Sequence, residues 1–157
     1  SSSTARSLRP TTECRSRESG VGEWFVGMKE FVIEIPLRWG DMDAMSHLNN
    51  LMYFRLMEEA RIQWLAHFGF PTLPVGEAPI LAHAGCDFLK AMTYPGTAIV
   101  TQIVTRIGRS SVDMSLKIEK KDEPGVVYAT GRTVIVWYDY TAGKSAPWPE
   151  TVRAAIT

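Results

Sequence analysis

Long apolar runs are missing from this chain, and no stretch reaches the roughly 18 apolar residues of a membrane-spanning helix. Lys+Arg and Asp+Glu both number 17, so no surplus positive charge favours nucleic acid or an anionic membrane. The two cysteines, Cys14 in a polar segment and Cys86 in an apolar one, provide neither a disulfide framework nor metal-ligand spacing. We therefore expect a cytoplasmic protein with no nucleic-acid partner and no membrane partner.

Signatures of several common enzyme classes are also missing. The sequence contains no G-x-S-x-G element of serine hydrolases and no glycine-rich phosphate loop. Asp41, Asp43 and His47 lie close enough in sequence to suggest cation ligands. The other two histidines lack a paired spacing with them and no cysteine joins the group, so we expect no metal site.

The chain length of 157 residues and the hydrophobic fraction of 45% fit one folded domain. Residues 1–20 are rich in Ser, Thr and Arg and nearly lack large apolar side chains. Such a segment buries too little surface to offset the entropy cost of ordering it. We expect residues 1–27 to form a disordered or non-native leader, with Met28 as a candidate start, and residues 28–157 to form the domain.

Hydrophobic periodicity predicts one strand, one long helix and then four strands. Apolar residues alternate over Glu30–Arg38, which is typical of a strand. Asn49 suits the N-cap of the helix, and Gly69 suits its end. Four further strand segments with turn residues between them predict an antiparallel meander, near 80–90, 97–108, 110–121 and 125–138. A short helix is expected at 149–156. The fold class is therefore α+β, with a five-stranded antiparallel sheet wrapped around one long central helix.

The predicted long helix is apolar around much of its circumference. Its central face comprises Tyr53, Leu56, Met57, Ala60, Trp64 and Phe68. Further apolar residues widen this face: Leu51, Phe54, Ile62 and Leu65. We expect the helix to be covered on most sides. On the narrow polar strip, the spacing predicts pairing of Arg55 with Glu59 and of Glu58 with Arg61.

The loop between the first strand and the helix holds the groups best suited to chemistry. A carboxylate can act as general base or nucleophile beside an electrophilic carbon. The first turn of a helix offers unpaired N–H groups and the positive end of a dipole, which suit a developing oxyanion. Asp43 precedes the Asn49 cap by six residues, so a compact loop can return it to the unpaired N–H groups of Asn50, Leu51 and Met52. The loop therefore contains the parts of an acyl-transfer site.

The same residues also permit a purely structural role, and their spacing does not decide between the two. Asp41 and Asp43 can shape a polar turn, and His47 can satisfy a backbone carbonyl. The pair of asparagines can simply cap the helix.

The run W-G-D-M-D-A-M-S-H-L-N-N-L-M-Y-F, followed by E-E-A-R, resembles the signature of the 4-hydroxybenzoyl-coenzyme A thioesterase family of hotdog-fold proteins. The resemblance continues in C-D-F-L-K-A-M-T-Y-P-G, R-I-G-R-S-S-V and A-T-G-R-T-V-I-V-W, and covers about residues 29–156. It implies an acyl-CoA thioesterase with no cofactor beyond the coenzyme A of its substrate. It also implies a homodimer or dimer of dimers, with joined sheets and active sites at the subunit interface.

The resemblance assigns roles to individual residues. It implies that Asp43 is the catalytic carboxylate, that the Asn50 backbone N–H binds the thioester oxygen, and that His47 polarises water or holds the loop. It places the coenzyme A phosphates near Lys90, Arg109, Ser110 and Ser111. Similar enzymes that act on acyl carriers show D-x-N-x-H-x-N-N, and Met45 replaces the first Asn of that pattern here.

Two other functions stay open on the sequence. A hotdog module that binds acyl-CoA or an acyl carrier without turnover would share the fold. The presence of Asp43 favours the enzyme, because a binding module has no need of this carboxylate. A hotdog dehydratase or hydratase is the third reading, but the spacing of Asp43 and His47 does not match the hydratase pattern. The nature of the acyl group is not encoded in any motif.

Overall fold

The computed structural model describes residues 30–70 and 76–157, together with the backbone of residues 24 and 25. Most of the predicted leader, including Cys14, lies outside the described residues, as does Met28. Within the leader, Trp24–Phe25 pairs as a short strand with the strand that begins at Glu30. The division into a leader and a domain therefore stays a prediction.

The described chain forms seven strands and two α-helices. The strands are β1 (Trp24–Phe25), β2 (Glu30–Pro36), β3 (Glu77–Phe88), β4 (Thr97–Ile107), β5 (Ser111–Lys120), β6 (Glu123–Asp139) and β7 (Lys144–Ser145). The helices are α1 (Asn50–His67) and α2 (Glu150–Ile156), and a 3-10 turn covers Trp39–Asp41. The five long strands and both helices lie close to their predicted positions. The two-residue strands β1 and β7 were not predicted.

All strands join one antiparallel sheet in the order β1-β2-β4-β5-β6-β3, with β7 also paired to β6. The predicted meander is correct for β4, β5 and β6 and wrong for β3, which lies beyond β6 at the far edge. Residues 89–96 connect β3 to β4, and this segment exceeds the two to five residues of a usual hairpin loop. It carries the chain from one edge of the sheet to the other side of β5 and β6. The architecture is the predicted α+β hotdog fold.

The core lies between α1 and one face of the sheet. Alternate residues of β4, β5 and β6 point to α1 and are fully buried, among them Val100, Met114 and Ile135. Met57 and Trp64 of α1 are buried against this face. Burying these aliphatic and aromatic surfaces supplies the main driving force that holds the helix on the sheet.

The ends of α1 confirm the predicted cap and stop. The Asn49 side chain accepts a hydrogen bond from the Leu51 N–H at 3.0 Å. Gly69 follows the last turn with a φ of 76°, the left-handed conformation that favours glycine after a helix. None of the helices in the described ranges is long and apolar enough to cross a membrane.

One flank of α1 departs from the predictions. Leu51, Phe54 and Ile62 are 71%, 36% and 40% exposed, so the expectation that the helix is covered on most sides is wrong for the single protomer. The predicted ion pairs also differ, because the Arg55 guanidinium bonds the Glu58 carboxylate at 2.9 Å instead of that of Glu59. Apolar character in the sequence does not reveal whether a side chain faces its own sheet or lies on the surface.

Candidate active site

A salt bridge anchors the loop that joins β2 to α1. The Arg38 guanidinium donates to both oxygens of Asp41, at 2.8 Å in the shortest contact, and the Arg38 backbone N–H donates to Asp41 Oδ2 at 2.9 Å. The Asp41 carbonyl accepts from the Asn49 N–H at 3.0 Å. Asp41 therefore ties the end of β2 to the cap of α1 and fixes the start of the helix relative to the sheet.

Asp43 opens a tight turn that its own carboxylate holds together. Its N–H donates to the His47 carbonyl at 2.7 Å, and Ser46 adopts a left-handed φ of 60° to close the turn. Asp43 Oδ1 accepts from the N–H groups of Met45 and His47 at 2.8 and 3.2 Å. Oδ2 of Asp43 has no hydrogen-bond partner in the described part of the chain. The turn thus orients the carboxylate through one oxygen and leaves the other available.

The start of α1 leaves one backbone donor without an acceptor. Of the three N–H groups predicted to be unpaired, that of Leu51 bonds the Asn49 side chain, and that of Met52 bonds the Asn49 carbonyl at 2.8 Å. The Asn50 N–H has no acceptor among residues 30–70 and 76–157. It lies at the positive end of the helix dipole. Of these three N–H groups, only that of Asn50 is therefore free to donate to a ligand oxygen.

A cavity of about 220 Å³ brings most of the predicted site residues together. Its walls comprise Asp43, His47, Leu48, Asn50, Tyr53, Phe88, Leu89, Lys90 and Ala91. Three of the predicted residues, Asp43, His47 and Asn50, come from the loop and the helix start, and Lys90 follows the end of β3. His47 holds the turn through its backbone N–H and is one of the residues that line the cavity.

Tyr53 and Phe88 are cavity residues that the sequence reasoning did not assign to the site. Their rings meet edge to face with centroids 5.1 Å apart, and the Tyr53 hydroxyl lies 3.5 Å from the Lys90 carbonyl. Burial raises the pKa of Tyr53, and a hydrogen bond from the backbone of Met92 partly opposes this rise. Tyr53 is therefore a neutral, mostly apolar wall. The sequence did contain a signal for this assignment: Tyr53 follows Asn50 by one helical turn, so the two residues lie on the same face of α1.

Lys90 lines the cavity, and its ammonium group is held by residues of β6. The Lys90 Nζ lies 3.2 Å from a Glu123 carboxylate oxygen and 4.9 Å from the centre of the Tyr128 ring. The Tyr128 hydroxyl donates to the same Glu123 carboxylate. These contacts are partly exposed, so the ammonium group remains within reach of an anion at the rim.

The other predicted coenzyme A ligands lie at the opposite end of the sheet. Arg109 and Ser110 form the turn between β4 and β5, where their carbonyls accept hydrogen bonds from Trp148 and Trp137. The segment before β4 packs on the loop of Asp43, since the Leu37 N–H bonds the Gly96 carbonyl at 2.8 Å. At about 3.3 Å per residue, the length of β4 separates the two ends by roughly 30 Å. A single protomer therefore does not bring Arg109, Ser110 and Ser111 to the cavity.

The cavity combines a carboxylate with one unengaged oxygen and an unpaired N–H at a helix start. A carbonyl carbon placed between them meets a base or nucleophile on one side and an oxyanion donor on the other. This arrangement suits acyl transfer.

Comparison with known proteins agrees with the fold. A family model described as the thioesterase-like superfamily matches residues 37–156. The PA2801 protein of Pseudomonas aeruginosa, a candidate thioesterase, superposes with a TM-score of 0.77 and 33% identity over 80% of this chain and 97% of its own. A candidate acyl-CoA thioesterase from Xanthomonas campestris shows a TM-score of 0.65 and 34% identity over 73% of this chain and 97% of its own.

A 1,4-dihydroxy-2-naphthoyl-CoA thioesterase from Synechocystis shares the fold at 22% identity, with a TM-score of 0.73 over 81% of this chain and 95% of its own. The family match covers every residue of the candidate site, from the loop of Asp43 to the turn of Ser111. The chain therefore belongs to the thioesterase-like superfamily of hotdog-fold proteins.

Proposed function

We propose that this protein is an acyl-CoA thioesterase that hydrolyses its substrate to a free acid and coenzyme A. The observation that carries the proposal is that one cavity is lined by Asp43, whose Oδ2 is unengaged, and by Asn50, whose N–H has no acceptor in the described residues. Membership of the superfamily and the names of the two more similar structures support thioester hydrolysis. The resemblance to the 4-hydroxybenzoyl-coenzyme A branch supports an acyl-CoA substrate and no other cofactor.

In the proposed reaction, the thioester oxygen accepts a hydrogen bond from the Asn50 N–H. Asp43 Oδ2 either attacks the carbonyl carbon to give a mixed anhydride or removes a proton from the water that attacks it. Negative charge that develops on the thioester oxygen is stabilised by the N–H and by the helix dipole. Collapse of the tetrahedral intermediate breaks the carbon–sulfur bond, and the leaving thiolate takes up a proton, from Asp43 on the base route or from water on the anhydride route, to give coenzyme A. On the anhydride route, water then hydrolyses the anhydride, which releases the free acid and regenerates the Asp43 carboxylate. Either role requires Asp43 to be ionised.

We also infer that the working unit is a homodimer joined at β3. This strand ends the sheet, and exposed apolar side chains lie on it and directly after it: Leu81, Phe88 and Leu89. An unprotected edge strand with apolar side chains favours pairing with a second copy. A two-fold axis that passes between two copies of β3 would pair these strands, extend the sheet and bury these residues.

Such a dimer would reunite the two halves of the predicted site. Glu77 begins β3 at the end of the sheet that carries Ser110, because Trp137 bonds both the Glu77 carboxylate and the Ser110 carbonyl. Phe88 ends β3 beside the cavity. Antiparallel pairing of two β3 strands sets the Glu77 end of one protomer against the Phe88 end of its partner. The Arg109–Ser111 turn of the partner subunit would then approach the cavity and meet the phosphates of coenzyme A.

Thiol release from a panel of acyl-CoA esters, from C2 to C16 and aryl, tests the proposal. We expect turnover on at least one ester class, and the profile over the panel would define the acyl group. Calorimetric titration with the same esters separates the alternative function. Saturable binding of an ester that is never hydrolysed would overturn the thioesterase and support a non-catalytic acyl-CoA or acyl-carrier binding module.

A further inference from the structure

The segment that follows β3 is fixed to β6 through its backbone and through the Lys90 side chain. The backbone N–H groups of Leu89 and Lys90 both donate to the Tyr128 carbonyl, at 2.9 and 3.0 Å. The Lys90 ammonium group pairs with the Glu123 carboxylate at 3.2 Å and lies over the Tyr128 ring. Backbone and side-chain contacts therefore hold this cation in place beside the candidate active-site cavity, of which Lys90 is a lining residue.

A β-bulge in β6 places Tyr128 where it can hold this ion pair. In the pairing of β5 with β6, successive partners on β6 are Ala129 and Val127, so Tyr128 is the extra residue of the bulge. An extra residue bends its strand and changes the direction of its side chains, and such bulges are common beside active sites. Tyr128 is only 3% exposed, and its hydroxyl donates to the Glu123 oxygen that Lys90 does not use.

The ion pair leaves Lys90 as a hydrogen-bond donor with little net charge. An ammonium group has three N–H donors, of which the Glu123 carboxylate takes one. A phosphate at this position would also meet the charge of Glu123, and like charges that face each other are unfavourable. A neutral carbonyl oxygen can accept from the same ammonium group without that repulsion. The pair therefore suits a neutral acceptor better than a phosphate.

The size of the cavity also favours a group close to the thioester. The cavity has a volume of about 220 Å³ and is lined by both Asp43 and Lys90, so Lys90 lies near the reacting atoms. The pantetheine arm of coenzyme A spans roughly 16 Å from its sulfur to the diphosphate at ordinary bond lengths. Its amide groups lie within roughly 10 Å of the sulfur. An amide of the arm therefore fits the position of Lys90 better than the diphosphate does.

A second cavity gives the acyl group a separate place. Asp43 also lines a cavity of about 630 Å³, whose other walls include Trp39, Met42 and Tyr94. None of the residues that line this cavity, all of them in the described ranges, is a cation. A thioester has one arm on each side of its carbonyl carbon. The acyl group can thus occupy the aromatic cavity while the pantetheine arm passes Lys90.

We propose that Lys90 donates a hydrogen bond to an amide carbonyl of the pantetheine arm, and that Glu123 and Tyr128 are positioning residues that hold its ammonium group for this contact. The inference rests on the proposed thioesterase function. It departs from the resemblance, which places the coenzyme A phosphates near Lys90. The phosphates are then left to the Arg109–Ser111 turn.

Kinetics of Lys90→Met on an acyl-CoA and on the matching acyl-pantetheine, which lacks the phosphates, test this contact. The lost hydrogen bond is remote from the reacting carbon, so we expect KM to rise about tenfold on both substrates while kcat stays within about threefold. Lys121→Met is the matched control, because Lys121 pairs with Glu34 at 2.6 Å and does not line the cavity. Its KM should be unchanged. A rise in KM on the acyl-CoA alone, or on neither substrate, would overturn the proposal.

Double variants test the positioning residues. We expect Glu123→Gln to raise KM about threefold on both substrates, the scale of a partly exposed ion pair. Tyr128→Phe keeps the ring, loses the hydrogen bond to Glu123 and should act in the same direction. Because both residues act through the ammonium group, combining either change with Lys90→Met should give the KM of Lys90→Met alone. Additive increases in KM would overturn the positioning role.

Binding measurements separate this inference from the thioesterase itself. An S-alkyl pantetheine thioether cannot be hydrolysed, and its Kd by calorimetric titration reports the contact without turnover. Weaker binding of the thioether to Lys90→Met, together with a wild-type protein that hydrolyses no ester, would overturn the thioesterase alone. Hydrolysis by the wild type, with equal thioether binding to both proteins, would overturn the pantetheine contact alone.

Discussion

Asn50→Pro should remove the oxyanion donor without disturbing the fold. Asn50 is the first residue of α1, the helical position at which proline is best tolerated. Its N–H has no acceptor among the described residues, so the protein loses no internal hydrogen bond. Asn49 has φ −59° and ψ 137°, an extended conformation that suits the residue before proline. The substitution therefore removes the backbone N–H donor at position 50 and preserves the Asn49 cap.

The expected loss follows from the role of the N–H in the transition state. Removal of one oxyanion donor lowers kcat by about 10²–10³-fold, or about 2.7–4 kcal/mol of transition-state stabilisation. A stability change below about 1 kcal/mol shifts Tm by no more than roughly 2–4 °C for a chain of this size. The assay is steady-state thiol release on the best ester of the panel, with Tm measured in parallel.

Asn50→Ala is the matched control, because it removes the side chain and keeps the N–H. We expect its kcat to stay within about threefold of wild type, in contrast to Asn50→Pro. Wild-type turnover by Asn50→Pro would refute the assignment of the donor. An equal loss in both variants would show that the Asn50 side chain, and not its N–H, carries the effect.

Three other predictions concern the surroundings of the site. Asp41→Asn removes the charge that anchors the loop, and we expect Tm to fall by about 2–4 °C. We also expect kcat to decrease by a larger factor than the factor by which KM changes. An unchanged Tm would contradict that anchoring role. Burial and the charge of Asp87 raise the pKa of the Cys86 thiol, so its alkylation at pH 8 should be slower than that of free cysteine and should rise more steeply above that pH. In the Cys14→Ser variant, alkylation of Cys86 at pH 8 that is as fast as that of free cysteine would contradict the raised pKa. If the partner supplies Arg109, mixing inactive Asp43→Asn and Arg109→Gln protomers should restore activity through one intact site per mixed dimer, whereas no recovery after subunit exchange would count against the shared site.

Local features of the fold were predictable because their causes are local. The Asn49 cap, the glycine after α1 and the alternation of β2 each depend on neighbouring residues, and the structure confirms them. The position of β3 beyond β6 was not predictable, since alternation defines a strand but not its neighbours. The exposure of Leu51 and Phe54 was not predictable for the same reason, because the apolar character of a side chain does not indicate which surface covers it.

The candidate site was predictable where its residues are close in sequence. Asp43, His47 and Asn50 lie within one short loop and one helix start, and the structure brings them to one cavity. Tyr53 was assigned only to the core, because a buried aromatic residue on a helix has the same pattern whether or not it lines a cavity. Arg109 is far from the cavity because β4 lies between them, and no sequence motif indicates this separation.

The hydrolysis rate of Asp43→Asn on the best ester tests the central claim most directly. Asparagine keeps the size of the side chain, and its carbonyl oxygen can still accept from the N–H groups of Met45 and His47. We predict that kcat falls by about 10²–10⁴-fold, the range of a lost base, while Tm is preserved. Wild-type turnover by a folded Asp43→Asn would contradict the account, because the essential carboxylate would then lie elsewhere.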